Sequence, residues 1–137
     1  MAEQLQVGMT FEKTITVTEA LSAKHLAGQG IAVFSTPELV RFVEICGLEG
    51  VRPFLQPGQD TVGTQVDIKH LAATPAGMRV TAKCTLVEID RRHLRFTFEV
   101  HDELDKVSEG SHDRFIVDKE KQQQRLREKL ARWKLQG

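Results

Sequence analysis

The 137-residue chain is 40% hydrophobic and 28% charged, a globular composition that is neither disordered nor membranous, and it is long enough for one domain with a real core. Lys plus Arg and Asp plus Glu both number 19, so the formal net charge is zero. Such a chain has no general field for gathering polyanions, so nucleic acid is not an expected partner and any anionic ligand must be held by a local cluster. Cys46 and Cys84 lie in apolar runs without metal-ligand spacing and read as reduced core residues of a cytoplasmic protein. The first residues lack the basic and apolar regions of a signal peptide, and no segment is long enough to span a bilayer, so no membrane partner is expected.

In chain order, residues 9–18 alternate and are rich in β-branched residues, which predicts a first strand. Residues 19–35 carry mixed signals, with Gly28 and Gly30 suggesting a loop. Residues 36–52 predict a helix: Ser35 or Thr36 suits the N-cap, Pro37 the first turn, and Glu38 the positive end of the dipole. Pro53 and the Gln56-Pro57-Gly58 turn end it, and its apolar residues occupy most of the circumference, as in a helix wrapped by other structure.

The remainder is antiparallel in character. Residues 61–71 form a strand candidate, followed by a loop around Thr74-Pro75-Ala76-Gly77. Residues 78–89 and 93–101 alternate well and, joined by a short Asp90-Arg91-Arg92 connection, predict a hairpin. Residues 106–117 give another strand, and residues 118–135 a charged helix with Leu126, Leu130 and Trp133 on one stripe. No repeat or linker divides the chain, so a single domain over residues 1–137 is expected. One strand, a buried helix, at least four meandering strands and a terminal helix make an α+β protein. A curved antiparallel sheet wrapped around one apolar helix buries both hydrophobic faces, and that is the hotdog fold. A sheet this short leaves an edge, which pairing in a homodimer or higher homo-oligomer would cover.

Three residues stand out chemically. At ~100° per residue, Glu38, Arg41, Glu49 and Arg52 share a polar stripe, but Glu44 lies off it, among Val40, Gly47, Leu48 and Val51. It reads either as a helix-edge partner of Arg41 or as a partly desolvated carboxylate suited to act as base or nucleophile. His70 shares a strand face with Val62, Thr64, Val66 and Ile68, which marks it as inward, either structural or catalytic. Thr36 reads as a plain N-cap, or as a residue at the helix start, where outward-pointing amides can stabilise an oxyanion. His93, His101 and His112 read as surface histidines on strands. No metal-ligand spacing, nucleophile elbow or phosphate-binding glycine loop is present, so neither a metal nor a cofactor is expected.

The runs VFSTPELVRFVE, PFLQPGQDTVGTQVDIKHLAATPAGMRV and EGSHDR, in this order and spacing, resemble the fluoroacetyl-CoA thioesterase-like family of hotdog proteins. The resemblance extends from about Val7 to the terminal helix. Carried over position by position, it implies a catalytic Thr36, Glu44 and His70, with Gly63 lining the acyl pocket and Arg114 near the site. It departs in the loop HLAGQGIAVF, where Gly30 stands at the place of a lid phenylalanine, which removes the basis for fluoroacetate selectivity.

The expectation is an acyl-CoA thioesterase, a thioester hydrolase in which Glu44 attacks or activates water with His70 assisting, while Thr36 orients the carbonyl or stabilises the oxyanion. If Thr36 and Glu44 lie on one continuous helix, they sit ~12 Å apart along its axis. Either the helix starts late, or the site lies at a dimer interface, which is the favoured reading. Lys69, Arg91 and Arg92 are candidate contacts for the CoA phosphates. A non-catalytic acyl-CoA binding module or sensor is the alternative; a hydratase is disfavoured because the usual aspartate-to-histidine motif is missing.

Overall fold

The computed structural model describes residues 4–26, 28 and 30–137. Strand β1 (Thr10–Thr16) is followed by two short 3-10 turns and then helix α1 (Thr36–Val51). Strands β2 (Gln59–His70), β3 (Arg79–Asp90), β4 (His93–His101) and β5 (Lys106–Asp118) come next, and helix α2 (Lys119–Leu135) ends the chain. All pairings are antiparallel, and the five-stranded sheet has the order β1-β3-β4-β5-β2. This is the expected hotdog arrangement, with boundaries within about two residues of the sequence reading.

The helix begins where the sequence demands. Ser35, in extended backbone, accepts a hydrogen bond from the Glu38 amide at 3.3 Å, and Pro37 occupies the first turn. Leu39, Phe42, Val43 and Cys46 then face the sheet. Against them lie the inward rows of β3 (Val80, Ala82, Cys84, Leu86) and β4 (Leu94, Phe96, Phe98, Val100), all at most 3% exposed. The register sets Leu86 opposite Phe96 and Cys84 opposite Phe98, so these rows form one contiguous apolar layer under the helix.

Strand β5 departs from this pattern. Its register puts Ser108, Gly110, His112 and Arg114 opposite Val100, Phe98, Phe96 and Leu94, on the inward face. The reading of His112 as a surface residue is therefore corrected: it is fully buried, its ring stacked on Phe96 with centroids 4.9 Å apart. Neither ring nitrogen has a hydrogen-bond partner, and burial lowers its pKa to about 4. Gly47 on α1 makes the room, because a Cβ there would lie 2.6 Å from the imidazole.

Strand β2 holds a second correction. The register shifts between Gly63 and Gln65, a bulge that makes Thr64 the extra residue. Ahead of the bulge Thr61 and Gly63 point inward, and beyond it Val66, Ile68 and His70 do. Val62 and Thr64 do not share the face of His70, and both are exposed. Strand β2 pairs with β5 on one side and forms an edge of the sheet. Helix α2 leaves none of its residues buried, with Trp133 70% exposed, so its apolar stripe does not cover the sheet.

Candidate active site

The first candidate cluster forms where α1 starts. Because Ser35 takes the cap, the Thr36 hydroxyl is left free, and its Oγ1 lies 2.8 Å from Nδ1 of His70 at the end of β2. Burial holds the His70 imidazole below its ordinary value, with the Ala72 backbone acting in the opposite direction, so the ring is neutral at pH 7. Its Nε2 is buried and has no hydrogen-bond partner among the described residues. These groups line an open cleft of about 860 Å3, walled by apolar and small residues including Ala23, Val33, Phe34, Leu71 and Ala72. Lys24 and His25 also border this cleft, whereas Lys69 lies in a different, polar depression and Arg92 is bonded to Asp118.

The second cluster lies two turns along the helix. Glu44 faces Arg114, with Oε2 3.6 Å from Nη1, rather than pairing with Arg41. The Arg114 side chain is 6% exposed, and burial lowers its pKa while Glu44 and Asp60 raise it; a guanidinium nonetheless remains cationic. Gly63 completes the cluster, since a Cβ at that position would collide with the Glu44 carboxylate. The bulge therefore brings a residue without a side chain up against the carboxylate. Thr61, which the sequence reading did not single out, accepts from Arg114 Nε through its hydroxyl at 2.7 Å and from Nη2 through its carbonyl at 3.1 Å. The signal was its position two residues before Gly63, which places both on one strand face.

Thus Thr36 joins His70, and Glu44 joins Gly63 and Arg114, but Thr36 and His70 line one depression and Glu44 and Arg114 another. α1 is continuous from Thr36 through Glu44, and eight residues of helix separate them by ~12 Å. Neither Thr36 nor the helix start is displaced to close that gap. In the loop before α1, Gly30 is exposed at φ +118 with nothing within 4 Å of a built Cβ, a backbone that a phenylalanine would adopt only under strain.

The sequence pattern of the family described as fluoroacetyl-CoA-specific thioesterase matches residues 15–120. The fluoroacetyl-CoA thioesterase of Streptantibioticus cattleyicolor is 29% identical over 135 residues, covering 94% of this chain and 97% of that protein. A solved structure of a fluoroacetyl-CoA thioesterase superposes with TM-score 0.85 at 28% identity, over 93% of this chain and 98% of the other. A thioesterase superfamily member from Thermus thermophilus gives TM-score 0.85 at 25% identity, over 95% and 96% of the two chains. With residues 15–120 matched, most of its length, the chain belongs to the fluoroacetyl-CoA-specific thioesterase family.

Proposed function

We propose that the protein hydrolyses acyl-CoA thioesters at sites completed between two copies of the chain. The observation that carries this reading is the hydrogen bond between Thr36 and a desolvated, neutral His70 at the wall of an apolar cleft. Thioester hydrolysis needs a polarised carbonyl, an oxyanion site and an oxygen nucleophile. Thr36 and the first amides of α1 supply donors for the oxyanion. His70 holds the Thr36 hydroxyl and carries a proton to or from the reacting groups. Glu44 attacks the carbonyl or takes a proton from water. In the general-base route the hydroxide adds to the carbonyl and the intermediate expels the thiolate, which takes that proton. In the nucleophilic route the thiolate leaves a glutamyl anhydride, which water hydrolyses to free Glu44 while the water's proton goes to the thiolate, so the acid and free CoA are the products of either.

Support for a shared site comes from what one chain leaves incomplete. The edge strand β2 presents unpaired backbone groups. Beside it Val40, Ile45 and Leu48 on α1 are only partly covered. A second copy docked antiparallel along β2 covers both and brings the His70 end of one strand toward the Gly63 end of the other. Thr36 and His70 of one protomer then serve the same carbonyl as Glu44 of its partner.

Two measurements test this. Free-thiol release is followed across a panel of acetyl-, fluoroacetyl-, butyryl-, octanoyl- and benzoyl-CoA, for wild type and for Glu44→Gln. Turnover that collapses in the folded variant supports the hydrolase, whereas binding without turnover across the panel moves the assignment to an acyl-CoA binding module. Mixing His70→Ala with Glu44→Gln chains then locates the site. If each site draws on both chains, random pairing gives half heterodimers, each with one intact site, and about a quarter of wild-type activity returns. No recovery in verified heterodimers refutes the shared site.

A further inference from the structure

We propose that Thr61 is a positioning residue that orients Arg114 toward Glu44, and that hydrolysis depends on its hydroxyl. The inference rests on the reading of Glu44 as the base or nucleophile. Arg114 is almost wholly buried, as is Thr61 at 5% exposure. A buried guanidinium must place its donors or lose their hydration uncompensated. Thr61 receives two of them: its Oγ1 takes Nε–H at 2.7 Å and its carbonyl takes Nη2–H at 3.1 Å. Both bonds fall on one edge of the planar fork, so the plane is fixed and Nη1 is left directed at Glu44 Oε2, 3.6 Å away.

The spacing matters chemically. At 3.6 Å the cation acts on the carboxylate by charge without the close bidentate pairing that would occupy both carboxylate oxygens. Gly63, two residues along the same strand face, leaves the carboxylate free of side-chain obstruction at that point. Without the Thr61 hydroxyl, Nε–H loses its acceptor, and Glu44 is the nearest anion able to replace it. Arg114 then swings onto Glu44, and a carboxylate clamped by a guanidinium is a poorer nucleophile and base. Asp60 on β2 also acts on Arg114 by charge, but its carboxylate is already bonded to Arg52 at 3.0 Å.

The test uses Thr61→Val, which keeps the branched shape, and Thr61→Ser, which keeps the hydroxyl. The probe is the acyl-CoA of the panel that wild type turns over fastest. Thr61→Val should lower kcat by roughly 10- to 100-fold, the scale of a misplaced reacting group, while KM stays within about threefold. Thr61→Ser should restore kcat to within about threefold of wild type. In a Glu44→Gln background Thr61→Val should cost nothing further, because it acts through the carboxylate. Independently of turnover, the Arg114 Nε–H resonance in NMR should keep its position in Thr61→Ser and move in Thr61→Val, because its acceptor changes from a hydroxyl to a carboxylate. Undiminished kcat in a folded Thr61→Val, an equal loss in Thr61→Ser, or an Nε–H resonance unmoved in Thr61→Val overturns the inference while leaving Glu44 in place. Full activity of Glu44→Gln overturns the underlying reading and this inference with it, a result that the single Thr61 variants alone cannot produce.

Discussion

His112 makes the stability of this fold depend on pH in a calculable way. Its imidazole is fully buried between Phe96 and Gly47, with no acceptor for a proton on either nitrogen, and its folded pKa of about 4 lies below the ordinary 6.5. Between those values the unfolded chain binds the proton and the folded chain does not, so stability falls as pH falls through that window. The slope approaches about 1.4 kcal/mol per pH unit, and the span of some 2.5 units gives a loss of about 3 kcal/mol by pH 4. Arg114, two residues along the strand, adds to the shift by disfavouring a second positive charge. The perturbation is His112→Leu, which keeps the volume and removes the titration. Replacing two unpartnered nitrogens by apolar atoms is expected to be neutral or mildly stabilising at pH 7. Urea unfolding of both proteins at pH 7, 6, 5 and 4 should show a gap that widens by about 3 kcal/mol in favour of the variant. Because His70 titrates in both proteins, it cancels from the gap. A gap that stays constant with pH refutes the reasoning.

Other outcomes follow from the site itself. Gly63→Ala should lower kcat by about 100-fold or more without unfolding the protein, because the new methyl displaces the Glu44 carboxylate; thiol release and circular dichroism together check this. Since His70 must be neutral to accept a proton and burial lowers its pKa, the acid limb of kcat/KM that depends on it should lie below the ordinary histidine value near 6.5, and a pH–rate profile of wild type will show whether it does. Lys24→Glu should raise KM for acyl-CoA by about tenfold with little change in kcat if the cleft edge receives the CoA phosphates, and steady-state kinetics on two chain lengths decide it. With Gly30 in place of a lid aromatic, fluoroacetyl-CoA and acetyl-CoA should differ in kcat/KM by less than about tenfold, which side-by-side assays will measure.

What was legible in the sequence was legible because burial and period agreed. Leu94, Phe96, Phe98 and Val100 alternate cleanly because every inward position of β4 meets apolar atoms. The inward row of β5 reads Ser108, Gly110, His112 and Arg114, and no hydropathy pattern marks it as inward. Its burial is imposed by the neighbouring strand, a nonlocal cause, which is why alternation alone puts His112 at the surface and offers Arg41 as one of two readings for Glu44. The bulge at Gly63–Gln65 is likewise a matter of pairing with β5, and a bulge reverses the alternation by which faces are assigned. The choice between Ser35 and Thr36 as cap was open because both residue types cap well. Tertiary structure settles it, since only Ser35 bonds the Glu38 amide while Thr36 reaches His70.

The polar row on β5 also explains why the apolar core ends where it does. His112 and the Glu44 carboxylate each occupy space that a side chain on a facing element would fill. Gly47 opens the space for His112, and Gly63 opens it for the Glu44 carboxylate beside Arg114. Each glycine gives up apolar contact and adds backbone entropy to the unfolded chain, costing on the order of 1 kcal/mol. A fold selected for stability alone would fill both positions. Leaving them empty gains nothing for a solitary core, but it places a carboxylate and a cation beside an edge strand with unpaired backbone groups. At the other end of the same helix, the carboxylate that lines the cleft with Thr36 and His70 is that of Glu38, not Glu44. The helix is too long for one end to serve the other, and the edge of β2 lies alongside both, which is the arrangement that the proposed shared site requires.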